Sequence, residues 1–164
     1  MPTYVSDLKE DLAKKGPARF IQENPYPVLV VLGLTGTLQD SKGAGTVVAQ
    51  ASDTLLLTTI VGRVFPVIKG QHAKPGPVTV GRVADNDICV PEYSISKLHC
   101  YLVVSANEVR LMDCGSTNGT QVNGQTLQPK KAYPLAGGER LVLGRFAFLF
   151  HRAAGFAEYL KNAK

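Results

Sequence analysis

From Thr54 to His151 the chain is a succession of short runs rich in Val, Ile, Leu, Thr and Phe, each closed by glycine, asparagine, aspartate or proline. The spacing predicts strands over Thr54–Val61, Arg63–Ile68, Val78–Gly81, Ile88–Val90, His99–Val104, Glu108–Asp113, Gln121–Val122, Thr126–Leu127, Lys131–Pro134, Arg140–Leu143 and Ala147–His151. Strands this short and this close together bury their apolar faces only by folding into a sandwich or a barrel. Asn123-Gly124, set between Val122 and Gln125, marks a tight hairpin, because both central residues of such a turn need positive φ.

The flanks have a different rhythm. Ser6–Lys15 reads as a short helix with Ser6 as its cap, acids in the first turn, lysines in the last and Gly16 as the stop. Its apolar face, Val5, Leu8 and Leu12, is narrow and suited to docking on something larger. Pro25 and Pro27 precede a β-branched run, Val28–Leu34, read as a strand, and the glycine-rich stretch Gly33–Gly45 reads as a linker. Residues 153–164 return to helical spacing through Phe156, Tyr159 and Leu160, which points to packing on the sandwich or on the first helix. The expected division is an N-terminal extension over 1–50, a β-domain over 51–152 and a C-terminal helix over 153–164.

Composition narrows the class. With 164 residues, 45% hydrophobic and 19% charged, the chain supports one main core. The 18 Lys and Arg are dispersed rather than clustered, there is no Trp, and most aromatics sit among aliphatics, so a nucleic-acid partner is not expected. Cys89, Cys100 and Cys114 are odd in number and form no C-x-x-C pair, so neither a disulfide framework nor a metal site is expected. They fit a reducing, cytoplasmic setting. The N-terminus lacks the basic start and apolar core of a signal peptide, and Val28–Leu34 is too short to span a bilayer.

Polar residues gather at the strand ends in a set order: Gly81-Arg82, Asp85-Asn86-Asp87-Ile88, Ser94-Ile95-Ser96-Lys97-Leu98-His99, and Asp113-Cys114-Gly115-Ser116-Thr117-Asn118-Gly119-Thr120 followed by Val122-Asn123-Gly124. Loops on a rigid sheet scaffold can share one ligand. Arg82 offers a planar fork of donors matched to two phosphate oxygens, Ser96 a hydroxyl and Lys97 a point charge. His99 opens an apolar strand and is expected to bridge loops by hydrogen bonds rather than act as a base. Gly119 can take positive φ, which frees the Asn118 amide to donate and accept at once, as a peptide backbone requires. No G-x-S-x-G elbow or nucleophile-and-carboxylate set accompanies these residues, so no enzyme activity is expected and no cofactor is called for.

The ordered set G-R, N-D-I, S-I-S-K-L-H and D-C-G-S-T-N-G-T-Q-V-N-G resembles the forkhead-associated (FHA) domain family, over roughly Thr54 to His151. The resemblance implies an all-β, two-sheet sandwich, here with short N-terminal and C-terminal helices, whose loops bind phosphothreonine peptides. It makes Arg82 and Ser96 the main phosphate ligands, with Lys97 and Thr117 beside them and Asn118 on the peptide main chain. Gly81, His99 and Gly119 are then architectural. It places much of the sequence preference three residues after the phosphothreonine, partly through the loop that leads to Ser96, which presents Glu92, Tyr93, Ser94 and Ile95 with Ser94 and Ile95 as the specificity residues. The function implied is an adaptor that recruits a Ser/Thr kinase or its substrate. The alternative is phosphate-independent protein–protein interaction on the same scaffold, with homo-oligomerisation through the terminal extensions. One departure is Cys114, which stands where many members pass directly from Asp to Gly.

Overall fold

Side chains alternate between buried and exposed along a strand with one covered face, and all are buried along a strand covered on both. Both patterns occur. The computed structural model describes residues 3–35, 59–71 and 73–163. In chain order the elements are β1 (Thr3–Tyr4), α1 (Val5–Lys15), α2 (Pro17–Glu23), β2 (Val28–Leu34), β3 (Arg63–Pro66), β4 (Val78–Gly81), β5 (Ile88–Cys89), β6 (Cys100–Val104) and β7 (Val109–Asp113). They continue with β8 (Thr120–Val122), β9 (Gln125–Thr126), β10 (Ala132–Leu135), β11 (Arg140–Leu143), β12 (Phe146–His151) and α3 (Ala153–Asn162).

Two sheets result, ordered β1-β3-β2-β12-β11-β8-β9 and β10-β7-β6-β4-β5. All pairings are antiparallel except β4 with β5. Between the sheets lies the main core, in which Leu29, Val31 and Phe65 of one sheet meet Val80, Leu102 and Leu111 of the other, with Phe146, Phe148 and Phe150 among them. In β7, Val109, Leu111 and Asp113 turn inward while Arg110 is exposed.

β2 shows the other pattern, with Val28, Leu29, Val30 and Val31 all buried. Leu29 and Val31 enter the main core, whereas Val28 and Val30 face a second apolar cluster with Leu12, Phe20, Val64, Phe156, Ala157 and Leu160. The three helices thus cover the outer face of the larger sheet. The Phe20 and Phe156 rings meet at 6.5 Å between centroids.

Several expectations are corrected. The strand Val28–Leu34, expected in an extension outside the domain, sits inside the larger sheet between β3 and β12, with Leu29 opposite Phe150 and Val31 opposite Phe148. The boundary expected near Ala51 lies outside the described residues, as do residues 36–45 of the expected linker and residues 54–58 of the expected strand Thr54–Val61. The rest of that strand is helical at Thr59–Ile60 and turns at Val61–Gly62. Helix α1 begins at Val5, so Ser6 lies within it; the Asp7 carboxylate accepts from the Tyr4 N–H at 3.1 Å and satisfies one free donor of the first turn. Helix α2 was not foreseen: Gly16 does end α1, but Pro17 occupies a first-turn position, where its missing N–H carries no penalty. Among the described residues no helix is long and apolar enough to cross a membrane.

Candidate functional site

The end of β4, the β5–β6 loop and the β7–β8 loop meet around a cleft of about 520 Å³. Arg82, Ser96, Lys97, Thr117 and Asn118 line it together. The approach of the first two loops depends on Gly81, because a Cβ there would run into the Lys97 carbonyl and the Asn86 side-chain amide. With that space free, the Arg82 N–H donates to the Ser96 carbonyl at 2.9 Å, and the Asn86 amide donates to Lys97 O at 2.6 Å and Val83 O at 2.9 Å. The Arg82 guanidinium is left with no side-chain partner among the described residues, and Lys97 beside it is exposed and likewise unpaired among them.

Ser96 is the hub. Its N–H donates to His99 Nδ1 at 3.1 Å and its Oγ accepts from the Thr117 N–H at 3.0 Å. The hydroxyl oxygen is therefore held in place while its own proton stays available to an acceptor in the cleft. His99 is fully buried, and its Nε2 lies 2.9 Å from the Gly119 carbonyl. An N–H donating to Nδ1 and a carbonyl at Nε2 together require the neutral tautomer protonated at Nε2. Burial lowers the His99 pKa, against opposing contributions from the Gly119 carbonyl and Asp113. Gly119 itself has φ +84°.

Beneath the second loop lies Asp113. Burial alone would raise its pKa, but donors from the Ser116 and Thr120 hydroxyls and from the Ser116 and Gly115 N–H groups outweigh it and hold the carboxyl below its ordinary value. This buried carboxylate shapes the turn that carries Thr117 and Asn118. Cys114 fits into the arrangement by donating its N–H to His99 O at 3.0 Å.

The loop before Ser96 differs from expectation. Ile95 is 0% exposed and belongs to the main core, and Ser94 is buried, so neither side chain is presented to a ligand. Ser94 reaches the cleft through its carbonyl, which accepts from Asn118 Nδ2 at 2.9 Å. Its hydroxyl donates to the Glu92 carboxylate and accepts from the Arg145 N–H at 3.1 Å. Glu92, 6% exposed, is paired with Arg145, 8% exposed, at 2.7 Å from Nη2 and 2.8 Å from Nε. Gly144 allows this approach, since a Cβ there would collide with Ser94. The Arg145 guanidinium also lies 4.5 Å from the centre of the Tyr93 ring, which is 73% exposed. Arg145 was not foreseen as a site residue. It comes from the β11–β12 turn, far along the chain, and only the Gly144-Arg145 pair after a strand, echoing Gly81-Arg82, hinted at it.

The family model described as the FHA domain matches residues 78–144. Those residues belong to an FHA domain. The oxoglutarate dehydrogenase inhibitor of Corynebacterium glutamicum is 32% identical over 80 residues, 49% of this chain and 52% of that protein. The glycogen accumulation regulator GarA of Mycobacterium tuberculosis is 33% identical over 72 residues, 44% and 43% of the two chains. The matches therefore span about half the length of these relatives. A solved FHA domain, from a study of phosphothreonine-dependent FHA domain interactions, superposes with a TM-score of 0.51 at 21% identity, covering 77% of this chain and 95% of that one. The larger sheet of the sandwich extends beyond the matched residues, with β1, β2 and β3 supplied from before residue 78 and β12 from after residue 144.

Proposed function

We propose that the cleft binds a phosphothreonine-containing peptide, and that the chain acts as an adaptor recruiting a protein phosphorylated by a Ser/Thr kinase. The observation that carries this reading is the pairing of an Arg82 fork that has no side-chain partner among the described residues with a Ser96 hydroxyl oriented by Thr117 and His99 and left free to donate. An anion there gains charge-assisted bonds, and the Ser96 hydroxyl adds its bond at little ordering cost because its oxygen is already held in position. Lys97 adds a second positive charge, and the Thr117 side chain lines the same space. Asn118, tethered to Ser94 O through one amide hydrogen, keeps its other hydrogen and its carbonyl oxygen for the peptide main chain. The match of residues 78–144 to the FHA domain supports the same assignment.

The test is isothermal calorimetry with a matched set of phosphothreonine, phosphoserine and unphosphorylated peptides. The phosphothreonine peptide should bind, and Arg82→Ala should weaken it by about 30- to 150-fold, the effect of losing hydrogen bonds to a charged group worth about 2–3 kcal/mol. Equal binding of the phosphorylated and unphosphorylated peptides would refute the reading.

A further inference from the structure

We infer that a groove between the three helices binds a small carboxylate with an aliphatic chain, a ligand independent of whatever the cleft holds. The groove, about 390 Å³, opens where α1 passes to α2 and is lined on its other side by α3. Leu12, Ala157 and Leu160 form its floor and belong to the apolar cluster on the outer face of the larger sheet. Small residues on its walls leave the space open: Ala13 and Ala154 line it, and a Cβ at Gly16 would meet no atom within 4 Å. An apolar space of this size with few charged groups is the ordinary form of a small-molecule site.

Charge selects the head group. Lys9 and Lys161 line the groove against a single acid, Glu158, so the charged residues around it leave an excess of one positive charge. Lys9 Nζ donates to the Ala163 carbonyl, which holds the ammonium in place without cancelling its charge. Neither lysine has an ion-pair partner among the described residues. The neighbouring exposed positions of α1 and α2 decide the size of the occupant, because they carry ion pairs, Lys14 with Glu10 at 2.8 Å and Arg19 with Glu23 at 3.0 Å. A protein partner would have to cover those charges, which the cores of interfaces avoid. A ligand that stays within the groove leaves them in water.

Two-dimensional NMR of the isotopically labelled full chain, titrated with hexanoate, octanoate and decanoate below their micelle-forming concentrations, tests this. Amide shifts should concentrate on the groove, Ala157 and Leu160 among them, and affinity should rise about fourfold for each added methylene, the effect of burying it. Decylamine should bind roughly tenfold more weakly than decanoate. The double variant Ala13→Leu with Ala154→Leu fills the groove from exposed wall positions and should abolish binding while melting as wild type does. Lys161→Gln, at an exposed position, should weaken decanoate about two- to fivefold and leave decanol unchanged. The inference is wrong if no carboxylate shifts the groove amides, if affinity ignores chain length, if decylamine matches decanoate, if a folded double variant binds decanoate as wild type does, or if Lys161→Gln leaves decanoate binding intact. None of these outcomes touches the phosphothreonine reading of the cleft.

Discussion

Ser96 depends on the protonation state of His99. The Ser96 N–H needs an unprotonated Nδ1, so adding a proton to that nitrogen removes an acceptor and places a charge in a buried site. Burial holds the folded-state pKa of His99 below the unfolded value of about 6.5. The stabilisation is therefore complete above about pH 6.5 and is lost as pH falls through the lower, folded-state value. Burial also lowers the pKa of His151, which contributes with the same sign. Urea denaturation between pH 7.5 and pH 5 should show stability falling with pH, and His99→Gln should flatten that dependence. At this scale the site was largely legible in the sequence. Arg82, Ser96, Lys97, Thr117 and Asn118 lie within two loops whose residue types carry their chemistry openly, and the structure brings them to one cleft. The orientation of Ser94 and Ile95 is less legible, because residue type does not say which way an irregular loop faces: both line the cleft, but the Ile95 side chain packs into the core and the Ser94 hydroxyl turns to Glu92.

At the scale of elements, the recognition loop is anchored to the β11–β12 turn by Glu92 and Arg145. Removing one partner of a buried pair leaves the other uncompensated. Arg145→Ala should cost about 3–5 kcal/mol, a drop in Tm of roughly 6–20 °C for a chain of this size, measured by calorimetric scanning. Peptide affinity should weaken as well, since the loop carrying the Ser94 carbonyl and Ser96 loses its tether. This link was not readable beforehand: it joins residues 92 and 145, and neither carries a local pattern that names the other. The strand runs and the Asn123-Gly124 turn were readable because they depend only on neighbours. In the structure that turn has φ of +49° and +84° and lies between β8 and β9 as expected, with Asn123 Oδ1 also accepting from the Arg140 N–H at 2.9 Å. The membership of β2 was missed for the opposite reason, because Val28 finds its partner at His151.

At the scale of the whole molecule, the helices and the cleft are separate undertakings. Leu12, Phe20, Phe156 and Leu160 seal the outer face of the larger sheet, and no residue lining the cleft belongs to that cluster. Leu160, fully buried, should be costly to truncate. Leu160→Ala is expected to lose about 2–5 kcal/mol of stability by denaturant titration. Its phosphopeptide affinity, measured where the variant remains folded, should match wild type.

The placement of β2 beside β12 also bears on how the chain is made. On the ribosome, Val28–Leu34 emerges early, a strand apolar on both faces, and its neighbour Phe146–His151 follows only after every other strand of the sandwich has been synthesised. Until then β2 can pair only with β3, and its other edge stays open to wrong pairing. The nascent chain thus passes through a stage in which an apolar strand waits without its second partner, the condition under which a holding chaperone is most useful.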